Sequence, residues 1–408
     1  MVIGNSAAGL SAIEAYRKID KSSDITLISK EGGNAYSRVL LPYVLRGKLA
    51  YENMTIRDDK YYKDMNINYI EGDVTELNNK DKLVTVGNKL IEYDKLLIAT
   101  GSNPVKPPIP GIDQYGIFHM WTKKDVDGLT PYYKSGKKVL VIGSGFVALQ
   151  AAWAAVVKGL DVTVVELAGR IMPSVLDEEG GKILHEQILE KGVDLRVNTI
   201  TERIEKKEDG TFEVFFKDCE SLNVDFIIVG TGVRANTAFL KETDIEVDRG
   251  ILVDRYMRTN DDDVYSAGDV AQGYTSFDEG QVIHALWPTA VEMGKIAGKN
   301  MAGLNSEYEG SLNMNVTQMY DLTVASIGRF SHDLVTKSYV FPNDLRGYLK
   351  VCYENELVVG ACLVGSSDAV KVLGKLRPII RKKIVADVTP EKLEMYLQVR
   401  AFSSRRQI

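Results

Sequence analysis

Two glycine-containing segments carry the residue types and spacing that bind a pyrophosphate. The first, Gly4-Asn5-Ser6-Ala7-Ala8-Gly9, follows the apolar Met1-Val2-Ile3 and runs into Leu10-Ser11-Ala12-Ile13. The second, Gly143-Ser144-Gly145-Phe146-Val147-Ala148, follows Val139-Leu140-Val141-Ile142 and runs into an alanine-rich stretch. In each, a tight strand-to-helix turn aims backbone N–H groups and a helix N-terminus at phosphate oxygens. Ser6 takes the central glycine place and is small enough to allow close approach; Ala148 is permitted at the third place. About twenty residues beyond each turn an acid follows a short apolar strand: Glu31 after Ile25–Ile28, and Glu166 after Val162–Val165. A carboxylate there accepts hydrogen bonds from a ribose diol. For Glu31 a solvated strand end is an equal alternative. At Glu166 the carboxylate favours the free 2′-hydroxyl of NAD and repels the 2′-phosphate of NADP, a preference that Arg170 tempers. Two such units in one chain predict two bound dinucleotides.

These residues need parallel strands and helices to position them. Three residues before Gly4 are few for a buried strand of about five, so a few more residues upstream of Met1 are expected in the natural protein. Leu96-Leu97-Ile98 reads as a buried strand ending in Ala99-Thr100-Gly101, and Asp225 to Asn236 repeats that pattern through Gly230-Thr231-Gly232. Four of the eleven prolines lie at 104, 107, 108 and 110, a stiff crossing between domains. The 408 residues exceed one hydrophobic core and imply two or three domains.

Composition removes other classes. A net charge of −6 argues against nucleic acid as the main partner. No apolar run is long enough to span a bilayer, and Glu14 interrupts any leader-like segment. The three cysteines, Cys219, Cys352 and Cys362, form no C-x-x-C, so a thiol couple, an iron–sulfur cluster and a zinc site all lack ligands; buried packing in a reducing cytoplasm is expected. His119, His185, His284 and His332 show no ligand-like spacing and read as structural or surface residues, and no metal site is expected.

With Gly268-Asp269-Val270 after Asp263-Val264-Tyr265-Ser266-Ala267, the order of motifs resembles the two-dinucleotide flavoprotein reductases of the pyridine nucleotide–disulfide oxidoreductase superfamily. The resemblance covers essentially the whole chain. It implies that the first turn and Ala99-Thr100-Gly101 bind FAD and that the second turn binds NAD(P)H. It also implies that Gly268-Asp269 returns to the FAD domain, with Asp269 on the ribityl–phosphate part; read alone, Asp269 serves equally as a helix N-cap. The segments Ala35–Tyr43 and Leu286-Trp287-Pro288-Thr289 are most similar to flavin subunits of NADH nitrite reductases and to NADH:rubredoxin reductases. Where disulfide-reducing relatives place a cysteine beside the flavin, this chain has Val39, which excludes a thiol relay at that position. Tyr43 and Gln150 stand where many relatives pair a lysine with a glutamate. Candidates to steady the reduced flavin are Arg38, which reads equally as a surface charge, and a helix start near Pro288-Thr289.

The expected fold is α/β: an FAD-binding domain of residues 1–110 and 244–309, an inserted NAD domain of 111–243 and an α+β domain of 310–408. Strands are expected around 315–317, 323–327, 348–351 and 357–359. A helix follows Ser367, and a last helix is capped near Asp387 and Thr389-Pro390, before a frayed 403–408. Ten basic residues from Lys371 onward face three acids, a net +7, so the preceding chain carries −13. Such a dipole steers an acidic electron carrier, while a solvated helix or subunit contact explains it equally. The expected function is electron transfer between NAD(H) and a separate iron–sulfur or rubredoxin-like protein, or a partner subunit. The rivals are a stand-alone NADH oxidase or quinone reductase and a non-catalytic flavoprotein. A homodimer is left open.

Overall fold

The computed structural model describes residues 1–277, 280–330, 337–340, 347–366 and 370–385. The chain forms two compact units, one of residues 1–105 with 232–312 and one of 106–231 with 313–408.

In the first unit five parallel strands lie in the order Val264–Ser266, Leu96–Ile98, Val2–Ile3, Ile25–Ser29, Ile67–Glu71. The central strand has two residues, with Val2 opposite Leu27 and Ile3 opposite Ile28. Leu27, Ile28, Leu96, Leu97 and Ile98 are fully buried, as continuous apolar strands covered on both faces should be. The helix Ala7–Arg17 packs on the helix Trp287–Met301 at backbone distance: a Cβ at Gly294 or Gly298 would lie 2.2 or 2.1 Å from the carbonyl oxygens of Ala8 and Ala12. A meander of Val74–Asn78, Leu83–Val86 and Lys89–Glu92 adds a second layer that the apolar pattern does not announce, because its outer strands alternate with exposed polar residues.

The second unit repeats the plan. Its parallel sheet runs Asp194–Arg196, Asp161–Val165, Lys138–Ile142, Phe226–Val229, Ile117–Phe118, with the helix Phe146–Val157 leaving the central strand. A three-stranded meander over 201–224 covers a core of Phe212, Val214, Leu140 and Ile227. Residues 314–365 form an antiparallel sheet in the order Met314–Met319, Leu322–Gly328, Leu357–Gly365, Gly347–Glu354, Lys337–Val340. The helix Val370–Arg381 packs on this sheet through Leu373, Leu376 and Ile380. Four of these strands fall where the sequence places them; Lys337–Val340 was not foreseen. The last helix expected after Asp387, the frayed end and His332 lie outside the described residues.

Two expectations need correction. Asp269 caps no helix, because the chain passes from Gly268-Asp269 into the strand Ala271–Tyr274. The three thiols are not all buried: Cys352 and Cys362 are, but Cys219 is exposed at the start of Cys219–Val224, a meander strand paired on one side only.

Candidate functional site

The first turn is held shut by the sheet. Gly4 donates its N–H to Ile28 O at 2.9 Å, and Ala99 N–H donates to Ile3 O at 2.8 Å. Gly4 has φ +122, and a Cβ there would sit 2.0 Å from Ala99 O, so glycine is required twice over. Ser6 is the N-cap of Ala7–Arg17 in extended conformation, yet its side chain caps nothing. The first N–H groups of this helix, at Ala7, Ala8 and Gly9, are therefore left for an anion. Trp287–Met301 starts in the same way, with Pro288 in its first turn and no side-chain cap. Three other helices differ, with Asp58, Thr122 and Asp177 each capping its own, while the short helix Leu41–Leu45 after Leu40 has no side-chain cap either.

Around this turn the structure brings together Glu31, Arg38 and Asp269. Arg38 is ion-paired with Glu31, whose second oxygen accepts from the Tyr36 hydroxyl at 2.5 Å. Asp269 is half-buried and accepts from the Ser102 hydroxyl at 3.0 Å. Burial raises its pKa, opposed by the Ser102 hydrogen bond and the charge of Arg38. Arg38 thus lies within electrostatic reach of both carboxylates rather than acting as a lone surface charge. The Thr100 hydroxyl donates to Asn236 O and the Asn236 amide returns to Thr100 O, both at 2.9 Å, which clamps Ala99-Thr100-Gly101. Asn236 and Ser102 received no role from the sequence; Ser102 opens the short strand Ser102–Pro104 and Asn236 follows its partner Val233–Ala235, and that pairing puts them here.

The loop carrying Glu31 is also anchored. Tyr62 OH donates to Asn5 Oδ1 at 3.0 Å and accepts from Ala35 N–H, while Tyr69 OH lies 3.2 Å from Glu31 O. These contacts fix the loop against the first turn. The uncapped helix start, the glycine cradle and the half-buried Asp269 together fit the diphosphate and ribose parts of FAD.

In the second unit Gly143 has φ +103, and a Cβ would sit 2.5 Å from Gly230 O. Gly143 N–H donates to Val165 O and Gly230 N–H to Ile142 O, so Gly230-Thr231 flanks the turn. Gly145 begins Phe146–Val157 without a side-chain cap, leaving the N–H groups at Phe146, Val147 and Ala148 for phosphate. Glu166 accepts from Ser144 N–H, the Ser144 hydroxyl and Ala168 N–H. Arg170 donates to Pro173 O. His119 follows the edge strand Ile117–Phe118, and its Nδ1 lies 2.9 Å from Val229 O, which makes that nitrogen the N–H donor. Such a dinucleotide-binding parallel sheet uses the carboxyl ends of its strands, where all these residues lie.

The positions of the lysine–glutamate pair of many relatives hold no charge pair here. Gln150 is buried and donates to Thr317 Oγ1 at 2.9 Å and Gln318 O at 2.7 Å. Tyr43 lies beneath the guanidinium of Arg46, 4.4 Å from its ring centre. Val39 is 62% exposed, on a short 3-10 turn. The thiols of Cys352 and Cys362 are pushed up by burial, the former to about 11, which disfavours the reactive thiolate. No described helix is long and apolar enough to cross a membrane.

Comparison with known proteins agrees with this arrangement. The chain is 30% identical over 413 residues to an NADH oxidase of Methanocaldococcus jannaschii, covering 95% of this chain and 92% of that one. It is 32% identical over 373 residues to a nitrite reductase [NAD(P)H] of Bacillus subtilis, covering 90% of this chain but 46% of that longer protein. A solved NAD-dependent persulfide reductase from A. fulgidus superposes with a TM-score of 0.89 at 27% identity, over 94% of this chain and 77% of that one. The family model of the pyridine nucleotide-disulphide oxidoreductases matches residues 1–294. With two glycine turns on parallel sheets, each opening an uncapped helix, the chain belongs to the pyridine nucleotide-disulphide oxidoreductase family.

Proposed function

We propose that this FAD-dependent NAD(P)H oxidoreductase passes electrons between NAD(H) and a separate redox protein or partner subunit of iron–sulfur or rubredoxin-like chemistry. Residues 1–110 with 244–309 hold FAD, 111–243 hold NAD(H), and 310–408 serve as the interface domain, in a cytoplasmic protein. When bound, FAD supplies the step between a two-electron nicotinamide and a one-electron carrier. The protein's part is binding and tuning. Gly4, Ser6, Ala7, Ala8 and Gly9 take the FAD diphosphate, Glu31 its ribose and Asp269 the ribityl side, with Arg38 compensating both acids. Ala99, Thr100, Gly101 and Gly268 shape the floor, and the helix start at Trp287, Pro288 and Thr289 directs its positive end toward developing negative charge. Gly143, Gly145, Phe146 and Val147 take the NAD diphosphate, Ser144 holds Glu166 at the ribose, and Gly230, Thr231 and Gly232 line the edge of the site.

The observation that carries this reading is the exposed Val39 where a thiol relay would need cysteine. Electrons then leave by direct transfer to an external acceptor. The described basic residues Lys371, Lys375, Arg377, Arg381, Lys382 and Lys383 on and after the helix Val370–Arg381 support an acidic carrier; Lys392, Arg400, Arg405 and Arg406 lie outside the described residues. The similarity to an NADH oxidase favours a second reading, direct use of oxygen or a quinone. Steady-state NADH oxidation by the purified chain distinguishes them: turnover at least about tenfold faster with an acidic iron–sulfur or rubredoxin-type carrier than with oxygen, and falling with salt, supports the proposal. Oxygen turnover that equals carrier turnover supports the second reading. A flavin that NADH does not bleach rejects both.

A further inference from the structure

We propose that Ser144 sets the preference between NAD and NADP by locking the Glu166 carboxylate, as a positioning residue. This rests on the reading of the second glycine turn as the NAD site. Glu166 Oε2 receives two hydrogen bonds from one residue, Ser144 N–H at 2.9 Å and the Ser144 hydroxyl at 2.6 Å. Glu166 Oε1 receives Ala168 N–H at 2.9 Å. A carboxylate has about four lone-pair sites, so three are occupied and one, on Oε1, stays open. Glu166 therefore presents a single acceptor of fixed direction, suited to one ribose hydroxyl, rather than a rotatable carboxylate.

The lock extends into the next loop. The Ser144 oxygen, while donating to Glu166, accepts Met172 N–H at 3.2 Å. Ser144 and Met172 are each 1% exposed, so water cannot replace a lost partner. Met172 holds φ +47, a left-handed conformation unusual for a side chain of its size, which this hydrogen bond helps to maintain. The same loop carries Arg170, tied to Pro173 O. One buried hydroxyl thus fixes the acid that repels a 2′-phosphate and tethers the loop bearing the cation that would attract one. Removing it lets the carboxylate turn away and Arg170 move, weakening recognition of the 2′-hydroxyl and relieving repulsion of the phosphate together.

The test is titration calorimetry of NAD⁺ and NADP⁺ on the FAD-loaded protein, comparing wild type, Ser144→Ala and Glu166→Ala. The readout is the ratio of the two dissociation constants, which a merely structural loss would not move because it weakens both ligands alike. In S144A the preference for NAD⁺ is expected to fall by on the order of tenfold, the scale of one buried hydrogen bond to a charged group. Hydrogen exchange at Met172 N–H should quicken in the same variant. Ser144→Gly, which deletes the same hydroxyl, serves if S144A does not fold. A ratio that collapses in E166A but is unmoved in S144A overturns the lock while leaving the NAD site in place. A ratio unmoved in both overturns the site reading, and the lock with it.

Discussion

At the residue scale, the chain uses hydrogen bonds rather than reactive side chains. The carboxylates Glu31, Asp269 and Glu166 each accept a hydrogen bond from within the protein. Gly4 shows how little freedom the cradle has. Gly4→Ala must move the Ala99 carbonyl and leave φ +122, so the purified variant is expected to lose its flavin absorbance, with FAD binding weakened more than about tenfold by fluorescence titration. His284 supplies a pH effect. Its Nδ1 lies 2.7 Å from Ser311 Oγ, and burial lowers its pKa below the usual value. As pH falls through about 6.5 the unfolded chain takes up a proton that the folded chain refuses, so stability drops on acidification. Melting temperatures from pH 7 to 5 should fall less steeply in His284→Asn than in wild type; equal slopes would reject the assignment.

At the element scale, helix starts differ in whether a side chain caps them. Ala7–Arg17, Phe146–Val157 and Trp287–Met301 lack side-chain caps, whereas Lys123–Leu129 has a full capping box between Thr122 and Asp125. Thr122→Ala should cost about 1 kcal/mol in urea unfolding, while Ser6→Ala should leave apo-protein stability within about 0.5 kcal/mol, since its hydroxyl caps nothing. The other telling join is between the helix Glu178–Glu190 and the strand Gly347–Glu354. Asp177, the helix N-cap, accepts from Tyr348 OH at 2.6 Å and from Lys350 Nζ at 3.0 Å, with acid and lysine both 6% exposed. Burial alone would raise the Asp177 pKa; the hydrogen bonds from Tyr348, Gly180 N–H and Lys350 outweigh it and hold the carboxylate below its usual range. That stability is present above about pH 4 and lost as pH falls through the lowered value. Lys350→Met strands the buried carboxylate and should cost about 3–5 kcal/mol by denaturant unfolding.

At the scale of the whole molecule, thiol accessibility reports on electron flow. With Cys219 exposed and Cys352 and Cys362 buried, a thiol reagent should titrate one group in the native protein and three after denaturation. Alkylating that one group should leave NADH turnover unaffected; loss of turnover would restore a sulfur relay. Much of the architecture behind this was legible beforehand. The two strand–turn–helix units are local, because glycine spacing and an adjoining apolar run belong to one stretch of chain. The meanders at 74–92 and 201–224 were not, since short strands with one polar face give little apolar signal. Nor could spacing reveal that Asn236 clamps Thr100, 136 residues away.

The amino-acid order alone determined that two glycine-containing strand–turn–helix segments exist, which acids follow them and that no cysteine stands at position 39, because each is a matter of residue type at short range. Tertiary structure decided what those groups do. Parallel register brings Val165 and Gly230 against Gly143, chain crossings pair Arg38 with Glu31 within electrostatic reach of Asp269, and one buried hydroxyl at Ser144 meets Glu166 and Met172. Hydrogen-bond direction and burial depend on neighbours distant in the chain, so they appear only once the sheets close.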